Sequence, residues 1–117
     1  MKKLLAVALL FAAVSVAAHA TTSWTFCWTK VGPGRGPNYV SSVFQQDYGY
    51  GSSGYDGAIY GRVVNQFGDF IARHYGLPKG STTACYVPLS INNNQKTVTF
   101  YLDDYMRRNN AVFITWP

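Results

Sequence analysis

Residues 24–31, Trp24-Thr25-Phe26-Cys27-Trp28-Thr29-Lys30-Val31, alternate large rings with smaller or polar side chains. A period of two is the signature of a β-strand, and it puts Trp24, Phe26 and Trp28 on one face and Thr25, Cys27 and Thr29 on the other. The next residues, Gly32-Pro33-Gly34-Arg35-Gly36-Pro37, break any regular structure and read as a turn or short exposed loop. Residues 38–45 follow as a second strand whose apolar content is Val40, Val43 and Phe44. The short connection favours an antiparallel hairpin.

Downstream, the period changes. Ile59, Val63, Phe67, Phe70, Ile71 and His74 recur at three and four residues, which predicts a helix with a one-sided apolar stripe starting near Ala58 or Ile59. Its end is marked by Gly76, suited to a left-handed cap, and by Pro78, which blocks continuation. Gly61 and Gly68 weaken this helix, as expected where a helix packs close against a sheet. A third strand is predicted over 82–89 and holds Cys85. A second helix, capped by Ser90 or Asn92, runs to about Arg108 with Val98, Leu102, Tyr105 and Met106 on its buried side. Asn109-Asn110 turns the chain into a last strand over 111–116. The order β-β-α-β-α-β predicts an α+β, two-layer sandwich: a mostly antiparallel four-stranded sheet with two helices on one face.

Working towards the N-terminus, Lys2-Lys3, an apolar run from Leu4 to Ala18 and the small residues of Ala18-His19-Ala20 read as a secretory signal peptide over residues 1–20. About 15 apolar residues are too few to span a bilayer comfortably, and no later segment is apolar enough to do so. The expectation is a single small domain over residues 21–117, periplasmic or secreted, with no membrane anchor once the leader is removed. Cys27 lies too far from the cleavage site to become an acylated N-terminus.

That compartment gives the two cysteines a meaning. A lone pair, Cys27 and Cys85, in an oxidising environment predicts one disulfide. Closing a loop of roughly 60 residues stabilises the fold by about 4 kcal/mol in the chain-entropy model. Two cysteines with one nearby histidine are too few for a metal site, so no metal or cofactor is expected. The net charge of +5 falls by two when Lys2 and Lys3 leave, and the remaining basic residues are scattered apart from Arg107-Arg108. Nucleic-acid binding needs a denser basic stripe and is not expected. Aromatic residues make up 16% of the chain, including nine tyrosines and three tryptophans. Such rings serve a small core and a binding surface equally well.

Taken together, the strand Phe26-Cys27-Trp28, the stretch Tyr39-Val40-Ser41-Ser42-Val43-Phe44, the helix end His74-Tyr75-Gly76, Cys85 and an aromatic C-terminal strand carry a likeness. The chain resembles a group of short exported bacterial domains that have no assigned activity. The resemblance implies the same small α+β fold and transfers no catalytic residue; the glycine-tyrosine segment at 47–57 looks like an addition to it. In architecture alone, the chain is also similar to small peptidoglycan-binding modules of the sporulation-related type.

Residues 47–57, Asp-Tyr-Gly-Tyr-Gly-Ser-Ser-Gly-Tyr-Asp-Gly, have no helix or strand period. Gly49, Gly51 and Gly54 match a dinucleotide fingerprint letter by letter, but that motif must join a strand directly to a helix, and here loop residues intervene. A better reading is that Tyr48, Tyr50, Tyr55 and Tyr60 offer rings to a sugar or peptide, with Arg35 presented outward towards an anionic partner. The alternative is a mobile surface loop. His74, the one histidine after the leader, suggests a general base, although a helix C-terminus favours histidine through its dipole alone. Asp103 and Asp104, neighbours on a helix, point about 100° apart and cannot flank one bond; Asp104 is placed instead to pair with Arg107 or Arg108. Asp47 and Asp56 are a thin basis for calcium, which needs several converging oxygens.

The sequence therefore points to an exported, non-enzymatic binding module whose partner is an envelope protein or polysaccharide. Two alternatives remain: a small hydrolase built on His74, and a purely structural envelope protein.

Overall fold

A computed structural model of the chain describes residues 22–32, 34, 36–51, 54–78, 80–87 and 93–117. The leader, Arg35, Ser90 and Asn92 lie outside the described residues. The elements are β1 (Ser23–Thr25), β2 (Cys27–Lys30), β3 (Tyr39–Ser41), β4 (Phe44–Gln46), α1 (Gly57–Tyr75), β5 (Thr82–Cys85), α2 (Gln95–Asn109) and β6 (Val112–Ile114). The α+β class, with two helices and a four-stranded sheet, is the one the sequence predicts.

Each half of the predicted hairpin is two strands instead of one. β2 and β3 belong to a four-stranded sheet of order β5-β2-β3-β6, whereas β1 and β4 form a separate two-stranded sheet. Both pairings are antiparallel, but the register moves by one residue, from Trp28 opposite Val40 to Thr25 opposite Phe44. One extra residue on the 41–43 side is a β-bulge, which bends both strands together and carries them into the second sheet. Serines repair the ladder there. Ser41 Oγ accepts the Cys27 N–H at 2.8 Å, and Ser42 Oγ both accepts the Trp116 N–H and donates to the Trp116 carbonyl.

The sheet is mixed. β2 pairs with β3 and β5 antiparallel, while β3 pairs with β6 parallel. The period of two along β2 separates the helices. Cys27, Tyr39, Cys85 and Ile114 pack with Val63, Phe67 and Ile71 of α1. Phe26, Val40 and the half-buried Trp28 pack with Val98 and Leu102 of α2. The helices thus cover one face of the sheet each, which corrects the expectation that they share a face. With rings on one side of β2 and the cysteine on the other, both sides need cover.

Helix boundaries follow their caps. Asp56 Oδ1 accepts the Ala58 N–H at 2.8 Å to start α1, and Gly76 ends it at φ 70°, its N–H donating to the Ala72 carbonyl. Gly68 faces β5 so closely that an added Cβ would stand 3.2 Å from Thr83 Oγ1, whereas Gly61 has open space. Asn94 caps α2 through the Lys96 N–H, so this helix begins later than the sequence suggests. Asp104 pairs with Arg108 at 3.0 Å and Arg107 at 3.8 Å, as expected. His74 departs from the expected stripe: it is exposed.

Cys27 and Cys85 are directly opposite on β2 and β5 and form a disulfide across a sequence separation of 58. Both are buried. Replacing both with serine is expected to lower the unfolding free energy by about 4 kcal/mol, read as a lower urea midpoint with a somewhat steeper slope, because the released unfolded chain exposes more surface.

Candidate functional site

Four chain segments meet at the end of β5. Cys85 directs its N–H and carbonyl away from β2, and the Tyr60 hydroxyl meets both, accepting from the N–H at 3.3 Å and donating to the carbonyl at 3.4 Å. The phenol thus stands where a further strand would bond. One residue on, the Tyr86 N–H donates to the Phe26 carbonyl at 2.8 Å. The Tyr86 carbonyl accepts the Thr25 hydroxyl at 2.6 Å, and Thr25 Oγ1 lies 3.1 Å from the Tyr48 hydroxyl. A carbonyl only accepts, so the Thr25 proton is committed to it and Tyr48 must donate. The relay Tyr48–Thr25–Tyr86 fastens the glycine-tyrosine segment to β5.

That segment is held at both ends. Tyr48 is fully buried, and its carbonyl accepts the Asp56 N–H at 2.8 Å. Asp47 Oδ1 accepts the Gly49 N–H at 2.7 Å. Gly49 adopts φ +68°, a conformation that strains any L side chain, and a Cβ there would fall 2.8 Å from Ile59 Cδ1 and 3.0 Å from Asp56 Cβ, so glycine is the residue that fits. Gly51 and Gly54 exchange two backbone hydrogen bonds. The fingerprint glycines therefore build a small closed loop, and Asp47 and Asp56 spend their carboxylates on backbone N–H groups.

The structure sorts the sequence candidates. Tyr48 is an anchor inside the core, not a ring offered to a ligand; burial of its ring against α1 overrides its place in a polar loop. Tyr60 is half-buried and engaged with Cys85. Tyr50 and Tyr55 reach the surface, and the Tyr55 ring lies 5.4 Å from that of Tyr60. Three rings the sequence reading left aside join them. Tyr86 is stacked between Phe26, at 5.8 Å and 6°, and Tyr101, at 5.4 Å and 30°; Phe100 follows edge-on at 6.1 Å from Tyr101. Tyr55, Tyr101 and Phe100 are 42%, 45% and 62% exposed. Tyr50, within electrostatic reach of both Tyr55 and Tyr86, links the loop to these rings, and the five side chains Tyr55, Tyr50, Tyr86, Tyr101 and Phe100 form a strip from the loop to α2.

Burial makes three of these phenols, Tyr48, Tyr50 and Tyr86, harder to ionise. It pushes Tyr48 up to about 12, and the nearby Tyr60 and Tyr50 act in the same direction. Tyr50 and Tyr86 are raised by burial first and then by neighbouring phenols, Tyr55 and Tyr86 for the former and Tyr101 for the latter. On the other side of the sheet, burial takes Tyr105 to about 12, its hydroxyl donating to the Thr29 carbonyl at 3.3 Å.

His74 stands apart. Its ring lies 4.4 Å from Phe70 and 6.5 Å from Tyr75. Among the described residues, no hydroxyl or carboxylate hydrogen-bonds to it, and no group of three or more His, Cys, Asp or Glu gathers where a metal ion could sit. No helix among the described residues is long and apolar enough to cross a membrane. No family model, curated protein or solved structure matches the chain.

Tyr48 and Tyr105 hold their protons more tightly folded than unfolded, where the ordinary value is 10.0. Their contribution is complete below pH 10 and is lost as pH rises from there towards 12. Stability is expected to fall over that range by about 1.4 kcal/mol per pH unit for Tyr48 alone. Urea midpoints between pH 9 and 12 check this, and Tyr48→Phe removes its share of the slope.

Proposed function

We propose that this protein is an exported binding module, periplasmic or secreted, whose contact surface for a cell-envelope partner is the strip from Tyr55 to Phe100. The observation that carries the reading is that the exposed rings are already ordered. Tyr101 rests on Tyr86, which rests on Phe26, and Tyr55 rests on Tyr60, which is bonded to Cys85. Side chains immobilised before contact lose little entropy on binding, and tyrosine supplies large contact area with a polar tip.

The compartment draws on two independent features. Residues 1–20 have the charge, length and small-residue ending of a leader, and the Cys27–Cys85 bond belongs to an oxidising environment. The resemblance to short exported domains points the same way. No chemistry at His74 is needed for this role, and the strip lies at the Cys85 end of the sheet, fastened through backbone groups of β5.

Sedimentation with a washed envelope fraction from the producing cells tests the proposal. The purified protein is expected to pellet with the envelope, and a Tyr55→Ala/Tyr101→Ala double variant to remain in the supernatant with its far-UV spectrum and melting temperature nearly unchanged. Equal pelleting of both proteins would show that the contact surface lies elsewhere.

A further inference from the structure

We infer that the strip takes an uncharged glycan chain, with sugar rings lying on the outward faces of Tyr55 and Tyr101 and their hydroxyls bonded by the phenols between. The inference rests on the strip being the contact surface and adds what it holds.

Three features narrow the ligand chemistry. The first is shape. Tyr86 is nearly parallel to Phe26, at 6°, and close to parallel to Tyr101, at 30°. Tyr101 is backed by Tyr86 and keeps 45% of its surface exposed. A flat, supported ring complements the C–H face of a pyranose, which brings apolar area and slightly positive hydrogens to the negative face of the ring. A protein partner would instead place its anchoring side chains in desolvated pockets, and ring faces provide none. The hollow of about 400 Å³ beside Phe100 is open, and among the described residues its lining is a single face of α2.

The second feature is charge. The five strip side chains are four tyrosines and a phenylalanine. Lys96 and Asp103 flank Phe100 along the same hollow, and their opposite signs leave that pair without net charge. Asp56, beside Tyr55, is committed to capping α1. Among the described residues, Lys96 is the cation that lines the hollow, too little for a nucleic acid or an acidic polysaccharide, which needs a cluster of cations.

The third is hydrogen bonding. A phenol donates once and also accepts, as a sugar hydroxyl does. Burial makes Tyr50 and Tyr86 harder to ionise, which keeps their hydroxyls as donors. Rings for the C–H faces, alternating with hydroxyls for the rim, repeat the amphipathic pattern of a glycan laid flat.

Native gels cast with soluble dextran, β-1,3-glucan, β-1,4-xylan or α-mannan provide the test, with polygalacturonate as the anionic comparison. At least one of the four neutral polymers is expected to slow the protein. Tyr101→Ala and Tyr55→Ala should each weaken that retardation about tenfold, and Tyr101→Phe, which keeps the ring, should preserve most of it. Migration unchanged by all four neutral polymers, or slowed by polygalacturonate alone, would overturn the inference, as would full retardation of Tyr101→Ala. The envelope assay separates this failure from that of the contact surface. Binding that needs Tyr55 and Tyr101, resists protease treatment of the envelope and is lost after periodate oxidation of its sugars supports a glycan. Strip-dependent binding lost to protease and untouched by periodate leaves the surface in place and refutes the glycan.

Discussion

The bond between Cys27 and Cys85 is the constraint around which the rest is arranged. It joins residues directly opposite on β2 and β5, at a position where neither backbone N–H faces the other strand. Each therefore needs a partner from outside the pair. Cys27 finds the Ser41 hydroxyl, next to the bulge that turns β3 into β4, and Cys85 finds the Tyr60 hydroxyl on α1. A single covalent link thus fixes the bulge on one side and the helix on the other. In a chain this small, whose apolar interior divides into two clusters, such a link substitutes for the burial that a larger core would provide.

From that centre the surface site inherits its order. Tyr60 at Cys85 positions the Tyr55 ring, and Tyr86, the next residue, carries the stacked column that ends at Tyr101. The Tyr48–Thr25–Tyr86 relay ties the loop to the same few backbone atoms. Core and exposed strip are therefore not separate designs: the side chains that satisfy buried polar groups are one ring away from those that meet solvent. Among the described residues no buried side-chain polar atom lacks a partner. Side-chain stand-ins for strand bonds recur elsewhere, since the Asn93 amide grips both the N–H and the carbonyl of Trp24.

Some of the architecture was legible because it rests on local rules. Gly76 followed by Pro78 ends α1 where a left-handed residue is required, and Asp104 meets Arg107 and Arg108 because a helix turn brings them together. The rings and cysteine of Trp24–Val31 alternate as read. Other features had no local signature. The bulge depends on how two strands align across the hairpin, and a run of residues with continuous alternation does not show where its partner gains one. Tyr48 and Tyr55 sit in the same glycine-rich segment with no period to tell them apart, yet one is in the core and the other in solvent. Tyr86 and Tyr101, on β5's end and on α2, become neighbours only when α2 packs on the face opposite α1.

The sequence by itself determined the α+β class and its two helices, the pairing of its two cysteines and the C-terminal cap of α1, because backbone preferences and residue chemistry act over a few positions. Tertiary structure alone decided which face each helix covers, where the strands change sheet and which tyrosines meet solvent. Those outcomes follow from packing between segments far apart in the chain, where the burial of a ring depends on what is laid against it and not on its neighbours in sequence.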